Sequence, residues 1–334
     1  MNTLPMKRNI SLDILKVIMS IFVVLLHLKF MSAYSQNISD FFVNGLFRVA
    51  VPVFLIINGY FLNSTFKKNT FTKTLMSLLK IYFLWMLIYS YFWLRQFNGA
   101  DLLITVFFGY HILWYFPGLI FSSIILYLIR NKNSITIAII STLCYLIGYT
   151  MQIILYKGVL LGDSNDQLLK IIMYRNFLFD CLPLISTGYL ISRGGLANKV
   201  KNTPILLVCG VLLLILETTL NDKYFGASYQ SDIMISTPLL SMTLFIIALN
   251  LIIKSKLESK KISQFATSVF LVHVLCINII NKLLHRLECD NAWVLYFGVL
   301  SLSFILSFLI IHLKKNTITY HLYRNLSRIL GCVP

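Results

Sequence analysis

Three ionisable residues stand inside the first long apolar run of the chain, Ile10 to Phe30: Asp13, Lys16 and His27. Charge is expensive in hydrocarbon, so ionisable groups within such a run mark a functional site. Lys16 precedes His27 by eleven positions. Eleven residues at about 100° each end about 20° past three full turns, so the two side chains share one helix face about 16 Å apart along the axis. Asp13 falls about 40° to the other side of His27 and joins the same stripe. Imidazole can exchange a proton near neutral pH, and a lysine ammonium is a point partner for phosphate.

Further groups of this kind recur downstream. Arg48 lies early in FRVAVPVFLIINGYF, and His111 and Trp114 open YHILWYFPG. Arg175 opens YRNFLFDCLP, and His273 sits in the middle of FLVHVLC. His111 and Arg175 also fit plain interfacial anchors, and Trp114 fits an aromatic belt. His273 is harder to place without a cavity, because no water reaches mid-bilayer otherwise. The segment STFKKNTFTKTLMSLLKIYFLW carries Lys67, Lys68, Lys73 and Lys80. These read as a positive cytoplasmic loop, as lipid headgroup contacts, or as partners for a phosphate-rich ligand.

The elements that must position these groups are membrane helices. Hydrophobic residues make up 58% of the chain and charged residues 12%, with a mean hydropathy of +0.79; a soluble domain carries about 25% charged residues. Apolar segments near 10–30, 43–62, 75–94, 112–129, 134–155, 174–192, 204–220, 233–253, 263–284 and 292–312 are each about long enough to span. The expected fold is therefore an all-α polytopic bundle of about ten transmembrane helices forming a single domain over 1–334, with no fused soluble domain. Residues 101–108 are apolar but too short to cross, and read as a re-entrant or interfacial piece.

A net charge of +17 does not point to nucleic acid, because the basic residues cluster between apolar runs rather than on one amphipathic face. With the N-terminus in the cytoplasm, eighteen Lys and Arg residues fall on inner segments, among them Lys7, Arg8, Arg130, Lys132, Arg193, Lys199, Lys201, Lys254, Lys256, Lys260, Lys261, Lys314, Lys315, Arg324 and Arg328, against eight on outer ones. That bias puts both termini in the cytoplasm. The first run is too long for a signal-peptide core and reads as a retained helix. The cysteines have no metal-ligand spacing, so no metal site and no disulfide framework is expected.

SLDILKVIMSIFVVLLHLKF resembles the first helix of the membrane acyltransferase type 3 family, whose hallmark is a basic residue, ten residues, then His. FRVAVPVFLIINGYFL, HILWYFPGLI, YRNFLFDCLPLISTGYLI and SVFLVHVL resemble later family segments in order. Lys16 stands where arginine is common, and Asn58 stands where Ser often precedes Gly-Tyr. The resemblance implies O-acyl transfer, usually of acetyl from acetyl-CoA, to a hydroxyl of a cell-surface polysaccharide or its lipid-linked precursor, in a bacterial cytoplasmic membrane. On that expectation His27 is the base and Arg48 stabilises the oxyanion. Lys16, Lys73 and Lys80 meet the donor, while Asp13, His111, Trp114, Arg175 and His273 support the site or the substrate. No Ser or Cys nucleophile beside a base demands an acyl-enzyme. A transporter or flippase for a polar solute or lipid-linked sugar would use the same helices and intramembrane charges, although no duplicated half is evident.

Overall fold

A computed structural model describes residues 9–97, 99–159, 167–198, 200, 202–226, 229–253 and 258–312. Of the basic residues used above for topology, Lys7, Arg8, Lys199, Lys201, Lys254, Lys256, Lys314, Lys315, Arg324 and Arg328 lie outside them. The described residues are mostly helical and contain no strand. In order come α1 (Ile10–His27), α2 (Gln36–Val43), α3 (Ala50–Lys67), α4 (Phe71–Ile88), α5 (Ser90–Gln96), α6 (Ala100–Phe108) and α7 (Tyr115–Ile129). They are followed by α8 (Ser134–Tyr156), α9 (Gln167–Tyr174), α10 (Leu182–Gly194), α11 (Thr203–Phe225), α12 (Ser236–Asn250), α13 (Ser259–Arg286) and α14 (Ala292–His312).

Among the described residues, eight helical stretches are long and apolar enough to cross a membrane. The two remaining expected spans differ from the sequence reading. Residues 233–253 form the shorter α12, and residues 174–192 resolve into a π turn, Phe177–Cys181, leading into α10. Pro183, in the first turn of α10, needs no partner for its missing N–H, and Asn176 caps the turn by accepting from the N–H groups of Leu178 and Phe179. The apolar segment at 101–108 is α6, nine residues long. Large apolar side chains stand exposed along α4, α8, α11 and α14, including Leu87, Ile139, Leu212 and Phe297. Apolar faces of that extent belong against lipid tails rather than water.

The chain divides into two compact units. The first comprises the described residues within 1–54, 202–231 and 239–334, and in it α1 lies along α13, with α14 also packed along α13. Asn9 caps α1, accepting from the N–H groups of Ser11 and Leu12, while its own amide donates to Leu249 O at 2.8 Å. At the far end Lys29 N–H donates to Leu26 O and Phe30 N–H to Leu25 O, both at 3.1 Å. This is the Schellman arrangement, with Lys29 in the left-handed region at φ +48° where glycine is usual. It stops the helix at His27, three residues before the apolar run itself ends.

The second unit comprises the described residues within 55–201 and 232–238. α3 and α10 cross with backbones in contact: a Cβ on Gly59 would fall 1.9 Å from Ile185 O, and one on Gly188 2.0 Å from Ile56 O. Two glycines facing each other's helix backbone give the close small-residue crossing used between membrane helices. The segment 232–238 is held by paired hydrogen bonds, in which Gln152 Nε2 donates to Ile233 O at 3.1 Å and Ile233 N–H returns to Gln152 Oε1 at 2.9 Å. Tyr145 OH adds a bond to Met234 O at 2.6 Å.

Candidate functional site

The stripe on α1 meets a matching stripe on α13 within the first unit. Lys16 Nζ lies 3.1 Å from Asp13 Oδ1 and 3.2 Å from Ser263 Oγ. Ser259 Oγ donates to Asp13 Oδ2. Both charges are buried, with Asp13 2% and Lys16 4% exposed. A buried ion pair needs such added hydrogen bonds to offset the loss of hydration. Further along, the rings of His27 and His273 stack with centroids 5.3 Å apart and planes 27° apart. The contacts run in one direction on both helices, so α1 and α13 are parallel. Helices numbered one and nine in a ten-span count must run the same way.

His273 lies in the middle of α13 and is fully buried. Its Nδ1 is 2.7 Å from Phe270 O. A carbonyl only accepts, so Nδ1 carries a proton. His27 is half-buried in the last turn of α1. One helix face therefore carries a fixed ion pair and an imidazole pair, which together hold α1 and α13 in a single register.

Arg48 sits on a 3-10 turn, Leu46–Val49, that precedes α3 rather than within the long helix. The turn packs against α1, where Phe47 meets Phe22 at 5.0 Å and Phe30 at 6.0 Å. The guanidinium is tethered to the end of α2, with Nε donating to Val43 O at 3.2 Å and Nη2 reaching Asn44 Oδ1 at 3.5 Å. Asn44 in turn donates to Asp40 at 2.9 Å.

The second unit brings His111, Trp114 and Arg175 together around a cavity of about 110 Å³. His111 has a left-handed backbone, φ +49°, which a β-carbon makes unfavourable by about 1–2 kcal/mol. It follows Gly109 at φ +93°, where a Cβ would strike the Leu113 and Trp114 backbone at 2.6 Å. Arg175 packs over the Trp114 ring at 4.9 Å, a cation-π contact. Its Nη1 donates to Asp232 Oδ1 at 3.0 Å, and Tyr174 OH donates to Asp232 Oδ2 at 2.9 Å. Asn58, the departure in the second motif, donates to Tyr115 OH at 2.8 Å.

Lys73 and Lys80 stand exposed on α4. Met76, Lys80, Phe83 and Leu87 lie on one face at helical spacing, and the three apolar members are all exposed. Sequence reasoning missed Ser259, Ser263 and Asp232. A signal for the serines existed, because Asp13 to His27 and Ser259 to His273 span the same fourteen positions.

Fold and site together define a multi-pass helical membrane protein with buried charge and imidazole at its helix seams. A family model described as an acyltransferase domain, that of the acyltransferase 3 family, matches residues 9–312, and the chain belongs to this family. A protein named amino-acid racemase from Enterococcus faecalis is 25% identical over 333 residues; the match takes in 91% of this chain and 46% of that protein. The chain thus spans about half the length of this relative. No solved structure matches.

Proposed function

We propose that the protein is an O-acyltransferase moving an acyl group, acetyl in the simplest case, from acyl-CoA to a hydroxyl of a cell-surface polysaccharide or its lipid-linked precursor, in the bacterial cytoplasmic membrane. The observation that carries this reading is the stacked His27 and His273 pair on two parallel helices, in a chain that belongs to an acyltransferase family.

In this account His27 takes the proton of the acceptor hydroxyl as its oxygen attacks the thioester carbonyl. A C–O bond forms, and the carbonyl electrons move onto oxygen. Arg48 stabilises that oxyanion. Collapse of the intermediate breaks the C–S bond, and the departing thiolate receives the proton from the His27 imidazolium. Charge and atoms balance with no covalent enzyme intermediate. His273 orients the His27 ring. The Lys16–Asp13–Ser263 network fixes the register of α1 on α13, and the exposed Lys73 and Lys80 of α4 supply positive charge for the donor phosphates.

The test is chemical analysis of surface glycan from cells with and without the gene, and from cells carrying His27→Ala at equal protein abundance. The account predicts ester-linked acyl groups only with the wild-type gene. Full acylation in the His27→Ala cells would remove His27 from the mechanism, and unchanged glycan on deletion would remove the reaction itself.

A further inference from the structure

The second unit contains a cavity that the chemistry above does not use. Its walls are largely aromatic and aliphatic, with Phe107, Phe121 and Ile172 among them, and His111, Trp114, Arg175, Thr105 and Asn176 are its polar members. The helices on either side of it, α6 and α9, are only nine and eight residues long, too short to cross a bilayer. Both present apolar side chains outward: Leu103 is 75% exposed, Phe107 54% and Leu169 37%. Phe107 belongs to both surfaces, so the mouth of the cavity opens on a face that belongs against lipid.

One wall of this apolar space is a cation. Among the described residues, the Arg175 side chain makes its hydrogen bond through Nη1, to Asp232. The Nε–Nη2 edge of the guanidinium remains for an oxygen acceptor, and that edge matches two oxygens of a phosphate. Asp232 is itself fixed by Tyr174 and by the Gln152 clamp on its neighbour Ile233, so the guanidinium is oriented before any ligand arrives. A volume of about 110 Å³ compares with an engineered cavity of about 150 Å³ that takes benzene. It holds the few carbons next to a head group while the rest of a chain stays in the bilayer.

We propose that this cavity holds the phosphate-linked lipid anchor of the acceptor, with the first carbons of the chain among Phe107, Phe121 and Ile172 and a phosphate oxygen pair on Arg175. The assignment deepens the acyl-transfer reading by choosing the lipid-linked precursor over the finished polysaccharide, and it rests on that reading for the word acceptor. A free anion leaves the apolar walls of the cavity without a partner. A neutral hydrocarbon leaves the arginine edge unused.

Purified full-length protein in detergent micelles, loaded with radiolabelled undecaprenyl phosphate, is challenged with unlabelled undecaprenyl phosphate, undecaprenol or phosphatidylglycerol. Undecaprenyl phosphate is expected to displace the label at concentrations at least tenfold below those needed for either competitor. Equal displacement by undecaprenol would remove the phosphate contact. Equal displacement by phosphatidylglycerol would reduce the site to one for bulk lipid; either outcome overturns the proposal without any variant. Ile172→Phe, which fills the cavity, and the paired change Arg175→Gln with Asp232→Asn, which removes the guanidinium together with its hydrogen-bonded carboxylate, are each expected to weaken binding at least tenfold. Wild-type affinity in both would overturn it as well. Binding is read without turnover, so a negative result leaves acyl transfer standing, and a failed acyl-transfer assay leaves the binding result standing.

Discussion

At the scale of residues, the informative distinction lies between charges that are held and rings that can work. Lys16 and Asp13 are buried and already bonded to each other and to serines of α13. Lys16→Ala strands a buried carboxylate and is expected to destabilise the protein by about 3–5 kcal/mol. The paired change Asp13→Asn with Lys16→Met removes both charges and is expected to recover most of that stability, read as the thermal midpoint in detergent. If the double variant is as unstable as the single one, the pair does not act as a unit. The same double variant separates structure from donor binding, because a raised KM for acyl-CoA in a fully stable protein assigns Lys16 to the donor. His27 carries a different expectation. As a general base it must be neutral, so kcat/KM is expected to fall as the pH is lowered and the imidazole takes up a proton. Activity that stays level on acidification for as long as the protein remains folded would exclude that role.

At the scale of elements, glycines and caps set the geometry. Gly59→Leu or Gly188→Leu forces α3 and α10 apart, since even the first added carbon meets a carbonyl within 2.0 Å. Each is expected to abolish a monodisperse detergent-solubilised protein. Gly298→Ala, whose added carbon meets only side chains at 3.4 Å or more, should be tolerated. Lys29→Gly relieves the left-handed strain at the end of α1 and is expected to stabilise by about 0.5–1 kcal/mol. The long apolar helices were legible because hydropathy reports length and composition directly, and α8, α11 and α14 fall close to their expected bounds. The end of α1 was not, because Lys29 adopts a conformation that its residue type disfavours. Arg48 was expected inside a helix because Pro52 and its apolar neighbours read as one run; the 3-10 turn before it depends on packing of Phe47 against α1. The stripe on α1 was visible in one sequence, but its partner on α13 became evident only when the two helices lay parallel. Asp232 sits between two apolar runs, and nothing nearby in sequence announces that it serves Arg175.

At the scale of the whole molecule, the account requires a fixed orientation in the membrane. The loop at Lys67 and Lys68 is expected on the inner side and the loop at Cys289 on the outer side. In right-side-out vesicles a membrane-impermeant maleimide should label Cys289, in a variant whose other cysteines are serine, and should not label a cysteine placed at Lys68. The reverse pattern would invert the topology and exchange the sides assigned to donor and acceptor. The family match spans both compact units, and each unit contributes one cluster: the imidazole pair with its ion pair in the first, and the arginine-lined cavity in the second. The most direct test of the central claim is acetyl transfer by the purified protein, with radiolabelled acetyl-CoA and a lipid-linked saccharide acceptor, comparing wild type with His27→Ala in samples of equal thermal stability. The account predicts labelled ester product from wild type and a rate lower by about 10²–10⁴-fold in the variant; equal rates in the two would contradict it.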